Sequence, residues 1–157
     1  MDPEVRAFYM DGFGEDERLL LRAHGVLERV RTQELLTRLL PPPPATVLDI
    51  GSDGRLTEAV EPFLHRLHAT GQFCGDVVGF TTAYFHFPDE LAQDLVDAGL
   101  RGIEVYGIEG PAGPTLRALG MDCLDERLDA AVRAARIVER DSMMIAASGH
   151  LLAVGRV

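Results

Sequence analysis

The 157 residues carry a net charge of −10, with 46% hydrophobic and 25% charged residues, the composition of a globular chain long enough to bury the core of one domain. The acidic balance leaves no basic patch for a phosphate backbone and excludes nucleic acid as a partner. All 15 basic residues are arginines, which removes Schiff-base and Walker-type lysine chemistry.

In chain order, residues 1–14 are rich in Gly, Asp and aromatics and read as a loose arm. Over residues 15–40, Leu19, Leu20, Ala23, Val26, Leu27, Val30, Leu35, Leu36 and Leu39 recur at three- and four-residue spacing, the helical period. Gly25 interrupts the pattern, so two consecutive helices are expected, stopped by the prolines at 41–44. Residues 46–50 read as a buried strand breaking into the Gly51-Ser52-Asp53-Gly54 turn, the way a strand delivers backbone N–H groups to a ligand. Leu56, Ala59, Val60, Phe63, Leu64 and Leu67 trace a helical face that Pro62 kinks or starts. Residues 71–81 read as a loop with a short strand at 77–81. Pro88, Asp89 and Glu90 open a helix with proline and acids in its first turn; Leu91, Leu95 and Val96 form its core face, and Gly99 ends it. A strand at 103–108, a Gly-Pro turn at 110–114, an amphipathic helix at about 123–140 through Leu124, Leu128, Val132 and Ala135, and a strand at 150–157 complete the chain. No repeat is visible, and the reading is one domain.

The acidic N-terminus has no continuous apolar core, so neither a signal peptide nor a membrane span is expected, and the cytoplasm is the default location. Cys74 and Cys123 stand without metal-ligand spacing or a disulfide framework and read as idle thiols. His65 and His68, three apart, lack a carboxylate or thiol at ligand spacing, so no metal site is expected there. Glu28 and Arg31, also three apart, read as a solvated ion pair on a helix surface, with a ligand role as the alternative.

Three ordered blocks resemble the class I S-adenosylmethionine-dependent methyltransferases, in particular bacterial small-molecule enzymes. Leu27-Glu28 and Arg31-Thr32-Gln33-Glu34-Leu35-Leu36, leading to Val47-Leu48-Asp49-Ile50-Gly51, are similar to that family's approach helix and first strand. Ala69-Thr70-Gly71-Gln72 with Phe80-Thr81-Thr82-Ala83-Tyr84-Phe85-His86 and Pro88-Asp89-Glu90-Leu91 resemble its late lid segment and the helix before the sixth strand. Val105-Tyr106-Gly107-Ile108-Glu109-Gly110-Pro111 and Ser148-Gly149-His150-Leu151-Leu152-Ala153-Val154 resemble its final two strands, an antiparallel pair. The departures are equally specific. The family's loop is of the type Gly-x-Gly-x-Gly, whereas this turn keeps only Gly51 and Gly54. Four further βα units would need roughly 120 residues, and residues 55–79 have no room for them. The central strands, with their ribose-binding acid, are read as an internal deletion with a junction near 52–55. The alternative, residues 56–67 as the ordinary first crossover helix, still lacks those strands.

The resemblance implies an α/β fold: a reduced Rossmann-like methyltransferase remnant, with a few-stranded mixed sheet flanked by helices. Its parts would be an N-terminal arm and helices (1–44), the first strand and glycine turn (45–55), a lid-like segment (56–87) and a C-terminal helix–strand–helix–strand unit (88–157). It implies S-adenosylmethionine as cofactor, held by Asp49, Gly51 and Gly54; the competing reading is a strand-end turn with a capping aspartate. His86 and Tyr84 become the candidate catalytic residues, His86 as a base near neutral pH, against a plain turn role before Pro88. Phe8, Tyr9 and Phe13 become candidate substrate-binding residues in a covering arm, against local packing. The implied function is methyl transfer to an oxygen or nitrogen of a small molecule, impaired in the isolated chain. The alternative is a non-catalytic descendant that binds a small molecule or partner. Exposed sheet edges favour a homodimer.

Overall fold

The computed structural model describes residues 19–42, 70, 72–73 and 83–157. Four α-helices and four strands lie among them: α1 (Ala23–Leu39), β1 (Gln72–Phe73), β2 (Ala83–Tyr84), α2 (Pro88–Asp97), β3 (Arg101–Gly107), α3 (Ala112–Leu119), α4 (Leu124–Val138) and β4 (Leu151–Arg156). The class is mixed α and β. Both sheets described are two-stranded and antiparallel, β1 with β2 and β3 with β4, so among the described residues there is no mixed sheet. The expected parallel strand at 46–50 and helix at 56–67 lie outside these residues, as does the strand expected at 77–81. Chain contacts divide the protein into two units, residues 1–14 with 47–87 and residues 15–46 with 88–157. In the first, Gln72 faces Tyr84 and Phe73 faces Ala83, a pairing that the expected loop at 71–81 did not include.

The second unit is built on α1. Leu19 and Leu20 are helical, the chain bends at Leu21 and Arg22, and α1 then runs through Gly25 without a break. The interruption therefore falls upstream of Gly25, where Arg22 is extended at φ −131° and ψ 132°. Gly25 is itself buried, and the helix carries it despite a propensity cost of about 1 kcal/mol. Arg38 in the last turn complements the helix dipole. Leu40 turns to extended backbone before Pro41 and ends the helix.

Ala23, Leu27, Arg31 and Leu35 are buried at every fourth position of α1, one continuous stripe. Its first half joins Ala112 and Leu116 of α3 and Leu124, Ala131 and Val132 of α4 in one core cluster. Its second half, Leu35 with Leu39, joins Tyr106, Ile108, Leu152 and Val154 in another. Each fully buried leucine contributes on the order of 1.5–3 kcal/mol. Arg31 occupies the stripe between the two clusters, a position where an apolar residue would be expected.

Around this helix the C-terminal half follows the sequence pattern, with two differences. The helix at Pro88 and the final antiparallel pair form as expected, with Tyr106 opposite Leu152 and Gly107 opposite Leu151. Gly99, at φ 91°, closes α2: its N–H reaches Val96 O at 2.9 Å and that of Leu100 reaches Leu95 O at 3.0 Å, the two bonds of a Schellman turn. No residue of α2 is fully buried, however, and Val96 is half exposed rather than core; α2 packs on β3 and β4 with one narrow face. The Gly-Pro stretch expected as a turn at 110–114 is shorter than that, because Ala112 already begins α3. Pro114 lies in its first turn, where a missing N–H costs no helical bond. No helix among the described residues is long and apolar enough to cross a membrane.

Candidate functional site: a buried acid–base cluster

Three segments of the second unit bring charge into its interior. Glu28 and Arg31 come from α1, Glu109 from the turn after β3, and His150 from the residue before β4. Glu28 is 8% exposed, Arg31 0% and Glu109 3%. This corrects the reading of Glu28 and Arg31 as a solvated surface pair. Helical spacing alone places them one turn apart; the partners that meet them inside the unit, Ile108, Glu139 and His150, come from the C-terminal half.

Arg31 uses its guanidinium in three directions. Nη1 donates to Glu34 Oε2 at 2.5 Å, Nη2 to Glu139 Oε2 at 2.5 Å, and Nε to the Ile108 carbonyl at 3.3 Å. The network extends outward, with Arg38 donating to Glu139 Oε1 at 2.6 Å and Arg136 to Glu34 Oε1 at 2.7 Å. Arg31 thus ties α1 to the segment after α4 and to the end of β3, as the planar fork of arginine allows and a lysine would not. The guanidinium groups of Arg38 and Arg140 lie 5.7 and 5.5 Å from the Tyr106 ring centroid. Burial raises the Tyr106 pKa, and its hydrogen bond to Glu104 at 3.1 Å raises it further.

His150 is fixed from two sides. Its backbone N–H donates to Glu109 Oε2 at 3.1 Å, and its ring Nδ1 contacts Glu109 Oε1. Nδ1 also lies 3.5 Å from Glu28 Oε2. The backbone is held as well, with Ile108 N–H on the His150 carbonyl at 3.1 Å and Gly110 N–H on Ser148 Oγ at 2.7 Å. Gly110 adopts φ +54°, a conformation that glycine takes without steric cost, and the Glu109 carboxylate just before it meets His150. An imidazole bracketed by two carboxylates can carry a proton between them or share a cation with them.

Glu34 gives a pH-dependent test of the network. Burial acts to raise its pKa, but the hydrogen bonds and charges of Arg136 and Arg31 outweigh it and hold the carboxyl below the ordinary glutamate value. On acidification the unfolded chain takes up this proton first, so the stabilisation is complete above the ordinary value and is lost as pH falls through the lower, folded one. Urea midpoints measured from pH 6 downward are expected to fall in that window, and Glu34→Gln is expected to flatten the fall there. An unchanged slope in the variant would contradict the pairing.

The candidate residues from the sequence fall only partly among the described residues. Tyr84 lies in β2, and His86 is half-buried in the stretch between β2 and α2. Asp49, Gly51, Gly54, Phe8, Tyr9 and Phe13 lie outside the described residues. Cys123 is a free, half-buried thiol. Sequence reasoning assigned no role to Glu109 or His150, although both fall inside the third block of the resemblance. The available signals were the acid that ends the apolar run 105–108 and the arginine at the fourth-residue repeat of α1. No protein-family model, curated protein or solved structure matches the chain.

Proposed function

We propose that this chain is a small-molecule-binding protein of S-adenosylmethionine-dependent methyltransferase descent. Methyl transfer to an oxygen or nitrogen is the chemistry implied by the resemblance, and it is impaired in the isolated chain. The observation that carries the reading is the convergence of Glu28, from its first block, with Glu109 and His150, from its third, in one largely buried cluster. Burying such groups opposes stability unless each is paired, and clusters of this kind concentrate where a protein recognises a ligand or handles a proton. The antiparallel β3–β4 pair also supports it, being the arrangement that the resemblance implies for the last two strands.

Calorimetric titration of the full chain with S-adenosylmethionine tests the reading. With the central strands and the ribose-binding acid missing from the sequence, the expected dissociation constant is no tighter than about 1 mM, roughly −4 kcal/mol. A micromolar constant, lost in Asp49→Ala or Gly51→Val, would instead establish a competent cofactor site. The reading also carries a homodimer, since β3 and β4 pair only with each other among the described residues and an open edge favours a further strand. Sedimentation at micromolar concentration is expected to show a dimer; a monomer with a cooperative melt would contradict that part.

A further inference from the structure

We propose that Glu28, Glu109 and His150 form a binding site for one divalent transition-metal ion of the zinc or manganese class. The inference goes beyond the methyltransferase reading and does not depend on it. One ligand atom from each of the three residues lies within 4.8 Å of the other two. The set comes from a helix, a turn and the start of a strand, so it exists only in the folded unit. Both carboxylates are buried. Two carboxylates brought this close repel one another, and a cation shared between them offsets that repulsion.

Arg31 is not placed to be that cation, because its guanidinium is directed to Glu34, Glu139 and the Ile108 carbonyl. Among the described residues, His150 Nδ1 faces both carboxylates. A proton on that nitrogen or a metal ion bound by it can be shared with them. Three features favour the metal. One imidazole nitrogen with two carboxylate oxygens is a donor set that zinc and manganese accept, whereas magnesium and calcium prefer oxygen alone. The His150 backbone N–H holds Glu109 Oε2 at 3.1 Å, the type of outer contact that orients a ligating carboxylate. The His150 side chain keeps 19% exposure, so the cluster is not sealed from solvent. With metal–ligand bonds of about 2.0–2.2 Å, ligand atoms stand roughly 3.3 Å apart. The 3.5 Å separation of Nδ1 from Glu28 already meets this, and Glu109 needs only to draw back from Nδ1.

The test uses the full chain, stripped of metal with a chelator and titrated calorimetrically with zinc chloride and, separately, manganese chloride. Saturable binding of one ion per chain is expected for at least one metal. Glu28→Gln and Glu109→Gln, which keep the side-chain shape, should each weaken it by roughly tenfold or more, and Glu34→Gln should leave it unchanged. A measurement on the unsubstituted chain keeps the question open to refutation even if a variant fails to fold. Added Mn²⁺ should broaden the ring NMR signals of His150 before those of the other four histidines. Absence of saturable binding by either metal would overturn the proposal. Preferential broadening of His65 and His68, or unchanged binding by folded Glu109→Gln, would also overturn it.

Discussion

Replacing Arg31 with methionine is expected to lower the stability of the folded chain by about 3 kcal/mol. Removing one partner of a buried ion pair costs roughly 3–5 kcal/mol, because a charge is left behind without compensation. The lower end applies here because Glu34 retains Arg136 and Glu139 retains Arg38. Methionine approximates the length of the side chain, so the loss reports charge and hydrogen bonding more than volume. Arg31→Lys should recover only a minor part, since one ammonium cannot serve three acceptors held in three directions. Chemical denaturation checks both variants, and a loss below about 1 kcal/mol for methionine would mean that the guanidinium is not buried as described.

Truncating Glu109 to alanine is expected to have an effect of similar size, about 3 kcal/mol, for a different reason. The buried carboxylate accepts the His150 backbone N–H and contacts its ring, and alanine leaves those groups without their acceptor in a closed environment. Glu109→Gln retains a carbonyl oxygen at the same reach and is expected to cost closer to 1 kcal/mol. Urea titration of the two variants side by side separates the cases. Equal losses for alanine and glutamine would show that the charge of Glu109, and not its acceptor geometry, holds His150 in place.

Much of the second unit was legible from local pattern. The acids and proline that open α2, the glycine that closes it, the amphipathic repeat of α4 and the apolar runs of β3 and β4 are all signals within a few residues of one another. The cluster was not legible in this way. Glu28 and Arg31, read alone, satisfy the rule for a solvated helical pair, and only contact with partners far along the chain shows otherwise. Arg31 and Glu139 are 108 residues apart, and Glu109 and His150 are 41 apart. Helix α3 was obscured because Gly113 and Pro114 punctuate turns as readily as they occupy the first turn of a helix. Gly25 likewise reads as a break by propensity, yet α1 runs through it and the bend falls at Leu21 and Arg22.

The central claim is that α1 and the C-terminal segments are joined through one buried charged network. A double-mutant cycle between Arg31 and Glu139 measures it most directly, because the two side chains meet at 2.5 Å across 108 residues of sequence. Unfolding free energies of the unsubstituted chain, Arg31→Met, Glu139→Gln and the double variant give the coupling. The expected coupling is about 1–3 kcal/mol, the range for residues in contact within one network. Additivity within about 0.5 kcal/mol would contradict the account, because the helix and the segment after α4 would then stabilise the fold independently.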